Sequence, residues 1–263
     1  MVGSILIFDS GIGGLSVFEP IQRQLPHHDI YYLFDNARLP YGDLNEQELI
    51  QGCVELIVEQ VRQINASIVV VACNSASTLV LPELRKQLTI PVVGVVPAIK
   101  PAAQKSKTGH IGLLATPGTV ARQYTQDLIS SFAGGCKVTL VGSSELVLIA
   151  EAKAKRQTVN HAKIASILAP INNTNLDTLV LGCTHFPLLR QEIDEALTHK
   201  VVLLDSGDAI ATRVMSFMDD KGNGETEVQG TLKAGYTKEI DVGLKETLAD
   251  YGFTQFECIA VAN

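Results

Sequence analysis

The sequence predicts an α/β protein built as two similar α/β lobes, with mostly parallel sheets and a ligand site in the cleft between them. Three observations predict this. Short β-branched runs alternate with longer stretches of helical periodicity along the chain, as they do when strands are joined by crossover helices. The pattern then restarts near His110, after a strand closed by Pro97. Finally, two strands in the two halves end alike, as Val69-Val70-Val71-Ala72-Cys73-Asn74-Ser75 and Leu179-Val180-Leu181-Gly182-Cys183-Thr184-His185. Each is a branched apolar run, a small residue and a thiol, followed by polar residues. The carboxyl ends of parallel strands are where open α/β sheets hold their ligands.

Taken in order, residues 5–8 read as the first strand, the 11–14 turn follows, and 15–25 read as a helix. Residues 30–34 form the second strand. Across 45–64, Leu49, Cys53, Leu56, Ile57 and Val61 fall at helical spacing and predict a long amphipathic helix. Strand 69–72, helix 77–88 and strand 91–96 complete the first half. The second half reads as strand 110–114, helix 117–132, strand 137–141, helices 145–155 and 159–168, strand 179–181, helix 187–197 and strand 201–204. The tail gives strand 231–237, helix 239–250 and strand 256–261, and is expected to return to the first lobe. The expected division is residues 1–97 with 208–263 in one lobe and 98–207 in the other. Asp9-Ser10-Gly11 recurs as Asp205-Ser206-Gly207, which reads as a second mark of the repeat.

The chain has 263 residues, 46% hydrophobic and 19% charged, enough for two modest domains with packed cores and unlike a disordered chain. A net charge of −7 without a lysine or arginine cluster argues against nucleic acid as the primary ligand. No apolar run reaches the roughly 20 residues of a membrane span. The opening apolar segment lacks the basic start of a signal peptide. Five cysteines at irregular spacings argue against a disulfide framework. The expectation is a soluble cytoplasmic protein with a small-molecule ligand.

Two thiols in matched settings point to proton exchange at a carbon centre, one working on each face of a substrate. Both precede helix starts, where free N–H groups and the helix dipole favour negative charge. Asn74, Ser75 and Thr184 supply side-chain donors suited to a carboxylate. Cys53 falls on an apolar helix face and reads as packing, as do Cys136 and Cys258. The Asp9 to Gly14 turn invites comparison with a dinucleotide fingerprint, but Ser16 stands where the third glycine belongs and Asp9 would repel a pyrophosphate. Asp9 is either a helix cap or a base beside a thiol, and the paired thiols favour the base. His185 is cast as the group that takes a proton from Cys183 or steadies its thiolate, with a helix cap as the alternative. Cys183-Thr184-His185 lacks the further ligands a zinc ion needs, so no metal is expected. The turns at Pro40-Tyr41-Gly42 and Thr116 to Thr119 offer N–H groups and hydroxyls to an anion. Glu151, in an otherwise apolar stretch, is either a helix-surface residue or a site acid.

These motifs, in this order and spacing over nearly the whole chain, resemble the cofactor-independent aspartate/glutamate racemase family. The stretches that carry the resemblance run from Asp9 to Val17, Pro40 to Gly42, Ala72 to Asn74, Ala115 to Thr119 and Gly182 to His185. The resemblance implies an isomerase that needs no cofactor and interconverts L- and D-glutamate, supplying D-glutamate to peptidoglycan synthesis and so to cell-wall biogenesis and cell shape. An aspartate or hydantoin racemase is the alternative. It implies that Cys73 and Cys183 are the catalytic thiols, Asp9 and His185 their polar helpers, and Glu151 an auxiliary carboxylate. Ser10, Pro40, Tyr41, Gly42, Asn74, Ser75, Thr116, Thr119 and Thr184 fall at substrate-binding positions. Ser75 replaces the threonine of many members and keeps the hydroxyl. The chain starts almost at its first strand, without the leader some relatives carry, so activation by a cell-wall precursor is not expected; a homodimer is. The rival readings are a nicotinamide-dependent dehydrogenase resting on the glycine turn and a binding protein that kept the fold without the chemistry.

Overall fold

A wholly apolar strand reads as one covered on both faces, and in the computed structural model, which describes residues 3–41, 44–218 and 229–260, Ile30–Phe34 is buried throughout, whereas the apolar Val202–Leu204 lies at a sheet edge. The first sheet holds β1 (Ser4–Asp9), β2 (Ile30–Phe34), β3 (Ala66–Val71) and β4 (Val92–Gly94), joined by β9 (Leu232–Tyr236) and β10 (Gln255–Cys258) from the far end of the chain. All its pairings are parallel, in the order β10-β9-β2-β1-β3-β4. The second sheet holds β5 (His110–Ala115), β6 (Lys137–Gly142), β7 (Thr178–Leu181) and β8 (Val202–Leu204), again all parallel, in the order β6-β5-β7-β8.

The two orders are the same. In each sheet the second strand lies outside the first, and the third and fourth follow on the other side. Cys73 and Cys183 follow the third strand of their respective sheets, so the two thiol settings are topologically equivalent. The Asp-Ser-Gly repeat is not. Asp9 ends the first strand of one unit, whereas Asp205 follows the fourth strand of the other. Its likeness is local: each aspartate sits at a strand end and accepts from a following N–H, Gly14 for Asp9 and Gly207 for Asp205. The topological counterpart of Asp9-Ser10-Gly11 is Ala115-Thr116-Pro117, whose first residue ends β5.

In the first lobe, α1 (Leu15–Gln24), α2 (Glu46–Ile64) and α3 (Asn74–Gln87) cover the sheet. Asn45 caps α2 by accepting from the Gln47 N–H, and Asn65 closes it in the left-handed region at φ 51°. The second lobe carries α4 (Ile99–Lys105), α5 (Pro117–Ala121), α6 (Gln123–Phe132), α7 (Glu145–Ala154), α8 (His161–Asn172) and α9 (Arg190–Ala196). Two helices of the tail, α10 (Gly207–Met215) and α11 (Val242–Asp250), pack back toward the first lobe, where Ile210, Ala211, Val214, Leu244 and Leu248 join its core. No helix among the described residues is long and apolar enough to cross a membrane.

Several expected boundaries shift. The helix expected over 117–132 is two, because Arg122 is extended (φ −69°, ψ 142°). The helix expected over 187–197 is a 3₁₀ turn, Phe186–Leu189, followed by the short α9. α3 starts at Asn74 rather than residue 77, directly behind Cys73, and α11 starts at Val242 because Asp241 caps it. α4 and α10 carry too little periodic signal in seven and nine residues to show in sequence. Gly42 and Val261 lie outside the described residues.

Phe253, which leads into β10, is fully buried against Phe18 and Tyr32, with ring centroids 4.7 and 5.8 Å away. Phe253→Ala is expected to lower stability by about 3–5 kcal/mol in urea unfolding. A loss below about 1 kcal/mol would show that the tail is not integral to this core.

Candidate active site

Cys73 sits at the N-cap of α3, in extended backbone, two residues past the end of β3. Cys183 lies two residues past β7 and two before His185, which heads the 3₁₀ turn. Both are buried, and both line one narrow, nearly closed cavity, together with Ser10, Pro40, Tyr41, Asn74, Ser75, Thr116, Val147, Thr184 and His185. Every wall comes from the carboxyl end of a strand or the helix after it. Asp9, Glu151 and Thr119 are buried but stand one layer behind the walls. A larger hollow of about 1230 Å³, walled by Ile12, Ser16, Glu19, Ala150, Leu188 and Tyr251 among others, holds neither thiol. Both thiols border the smaller one.

On the first-lobe side, Cys73 Sγ donates to Ser10 Oγ at 3.7 Å. Asp9 ends β1 fully buried; its Oδ2 accepts the Gly14 N–H at 2.6 Å while Oδ1 has no partner. Burial pushes the Asp9 carboxyl up to about 6, against the pull of the His185 charge and the Ser10 and Gly14 N–H groups. Burial and then the nearby Asp9 charge push the Cys73 thiol well above the usual cysteine range. Asn74 Nδ2 is likewise buried without a partner. A buried amide left unpaired costs about 1–3 kcal/mol, so this donor is set aside for something that enters the cavity.

The second-lobe side is organised around an imidazole. His185 Nδ1 lies 3.8 Å from Cys183 Sγ, and Nε2 lies 2.8 Å from Glu151 Oε1. The same Oε1 accepts the backbone N–H of Ile12 at 2.9 Å, across the lobes. Burial opposes a charge on His185, but its bonds to Cys183 and Glu151 outweigh this and hold it well above the usual histidine range.

This contact explains the glycine turn. A Cβ on Gly11 would collide with Glu151 Oε1, and one on Gly13 with the His185 ring. The glycines let a protein side-chain pair approach the backbone closely, which is the use a dinucleotide fingerprint reserves for a pyrophosphate. Glu151, undecided in sequence between surface and site, is buried and bonded to His185 and Ile12.

The remaining predicted residues form two supporting clusters. The Tyr41 hydroxyl donates to buried Asp35, which also accepts from Thr237 Oγ1 and pairs with Arg38 Nε, both at 2.7 Å. Thr116 Oγ1 donates to Thr119 Oγ1 at 3.0 Å and lies 3.2 Å from Ser75 Oγ on the other lobe. Sequence reading missed Asp35 as the anchor of Tyr41, Val147 as a wall, and Ser16, whose hydroxyl bonds the Thr184 carbonyl at 2.8 Å. It also missed Tyr32, which bonds the Gly11 carbonyl at 2.7 Å. Only Asp35, a lone acid at a strand end, carried a readable signal.

Two equivalent α/β units facing each other across a pair of thiols place the chain among the racemases. The chain matches the family described as Asp/Glu/Hydantoin racemase over residues 8–214, and it belongs to that family. It is 60% identical over 263 residues, covering both chains fully, to a protein of Shewanella frigidimarina named glutamate racemase. The crystal structure of Escherichia coli glutamate racemase in complex with L-glutamate and an activator superposes with a TM-score of 0.92 over the full length of both chains, at 40% identity. A glutamate racemase isoform from Bacillus anthracis gives 0.81 at 29% identity, covering 99% of this chain and 97% of that one.

The Asp9 carboxyl yields a signed prediction. Between its ordinary 3.8 and about 6, the folded chain holds a proton that the unfolded chain has lost. Stability therefore falls as pH rises through that window and stays lower above it. Asp9→Asn removes the penalty while keeping an acceptor for Gly14, so it is expected to stabilise the protein at pH 7 by up to about 3 kcal/mol and to do little at pH 4. Urea midpoints for the two proteins at both pH values check this; an equal effect at pH 4 and pH 7 would refute it.

Proposed function

We propose that this chain interconverts L- and D-glutamate by a two-base route in which Cys73 and Cys183 serve opposite faces of the α-carbon. The observation that carries the reading is the pair of topologically equivalent thiols on one cavity whose other walls are hydroxyls and amides. The similarity to named glutamate racemases, one of them solved with L-glutamate, supports glutamate as the substrate over aspartate or a hydantoin.

In one direction Cys183, as thiolate beside the His185 imidazolium, takes the α-proton: the Cα–H bond breaks and an S–H bond forms. Cys73, held as thiol, then gives its proton to the other face of the carbanion and is left as thiolate. The reverse direction exchanges the roles, with Asp9 ionised above about 6 and placed to receive the Cys73 proton. A thiolate is a weak base for such a carbon acid, so the negative charge developing on the α-carboxylate must be stabilised. The unpaired Asn74 amide, the Ser10, Ser75 and Thr184 hydroxyls and the N–H groups opening α3 are the donors in reach. Each well-placed donor is worth roughly 3–4 kcal/mol in a dry site. Closing the lobe formed by 1–97 with 208–263 onto that formed by 98–207 excludes water and strengthens these contacts. The product, D-glutamate, would feed peptidoglycan synthesis in the cytoplasm.

Purified protein with no added cofactor is expected to erase the optical activity of L-glutamate and to turn over L-aspartate about 10- to 200-fold more slowly, the discrimination a missing methylene gives. Cys73→Ala and Cys183→Ala should each cut turnover by about 10³-fold or more. Retention of a tenth of the rate by either variant would sink the two-base reading. Faster turnover of aspartate would overturn the substrate.

A further inference from the structure

The break between α5 and α6 is built rather than incidental. An unbroken helix would pair the Thr119 and Val120 carbonyls with N–H groups four residues on. Here the Thr125 hydroxyl takes the Thr119 carbonyl at 2.6 Å, and Gln126 Nε2 takes the Val120 carbonyl at 3.3 Å. The sequence thus supplies side chains to satisfy carbonyls that the break would orphan. The residue at the break is Arg122, and its guanidinium crosses to the other lobe. Nη1 donates to the Ser75 carbonyl and to Thr78 Oγ1, both at 2.6 Å, and Nε lies 3.4 Å from Glu46 Oε1 at the start of α2. The arginine side chain is only 12% exposed.

Helix electrostatics does not account for this placement. A cation is favoured at a helix C-terminus and disfavoured at an N-terminus, yet Arg122 sits on the first turn of α3. The charge lies where a site for an anionic substrate would gain from it. Glu46 is 62% exposed and loosely placed, so it offsets little of that charge. The carbonyl that Arg122 holds belongs to Ser75, whose hydroxyl meets Thr116 on the cavity side. The first turns of α3 and α5 are therefore joined at the cavity by hydroxyls and behind it by a guanidinium.

We infer that Arg122 is a positioning residue: its guanidinium ties the second lobe to α3, fixes Ser75 against Thr116 and holds the cavity shut over the two thiols. Its consequence for glutamate rests on the function proposed above; its control of access to the thiols does not. Lysine cannot reproduce it, because a single ammonium lacks the planar fork that reaches the Ser75 carbonyl, Thr78 and Glu46 together.

The test uses the full chain with Cys136 and Cys258 replaced by serine, so that the half-buried and exposed thiols do not consume reagent. Iodoacetamide labelling of Cys73 and Cys183, read by peptide mass without substrate, is compared in the parent, Arg122→Ala, Arg122→Lys and Glu46→Gln. Loss of hydrogen bonds to a charged group predicts labelling about 10- to 100-fold faster in Arg122→Ala. The KM for glutamate should rise by a similar factor while kcat changes by less than about 3-fold, with partial recovery in Arg122→Lys and little effect in Glu46→Gln. If Arg122→Ala does not fold, Thr78→Val removes one of the two short bonds and should give a smaller change in the same direction. Unchanged labelling in a folded variant, or a loss confined to kcat, overturns the inference. Faster labelling in a protein that does not turn over glutamate upholds the tie and counts against the proposed substrate.

Discussion

One carboxylate oxygen, Oε1 of Glu151, accepts from the Ile12 N–H of the first lobe and from His185 Nε2 of the second. Everything else in the site depends on that shared acceptor. It orients the imidazole toward Cys183, fixes the glycine turn that follows Asp9, and so sets the carboxyl edge of one sheet against that of the other. The geometry leaves no room for a side chain on Gly11 or Gly13. The most sequence-distinct segment of the chain is thus explained by contact between two lobes rather than by a bound nucleotide.

The lobes repeat each other in strand order, but they do not repeat each other in charge. Cys73 stands beside a buried carboxylate that burial pushes up to about 6, and its own proton is held firmly. Cys183 stands beside His185, whose bonds to Glu151 and to the thiol hold its pKa well above the usual histidine range against the effect of burial. Two identical thiols in a symmetric fold would be interchangeable bystanders. A buried carboxyl beside one sulfur and an imidazole beside the other make the two thiol settings electrostatically unlike. On the Cys73 side the Asn74 amide adds a buried donor that has no partner of its own.

Much of this was legible in the sequence because it rests on local rules. Branched runs such as Ile68 to Val71 must be central strands, and a thiol following one must sit at a sheet edge. Cys73 and Cys183 were therefore set at matching strand ends from position alone, whereas position by itself would have left Asp9 and His185 as helix caps. What could not be read depends on contacts between distant segments. Glu151 and Ile12 are 139 residues apart, and nothing local tells whether an acid in an apolar helix faces water or a histidine. The helix break at Arg122 was invisible because the stretch around it has ordinary helical composition; only the partner helix α3 gives the extended residue its reason. The Asp-Ser-Gly repeat misled because three residues can recur at strand ends that are not equivalent, whereas strand order cannot be read from a tripeptide.

The most direct measurement is the isotopic content of both enantiomers early in the reaction in heavy water, starting in turn from unlabelled L- and D-glutamate. Separate sulfurs on opposite faces require the newly formed enantiomer to carry deuterium at its α-carbon while the remaining starting enantiomer keeps its protium. Deuterium entering the unreacted enantiomer as fast as product forms, or product that retains the original protium, would place a single base on both faces and contradict the account.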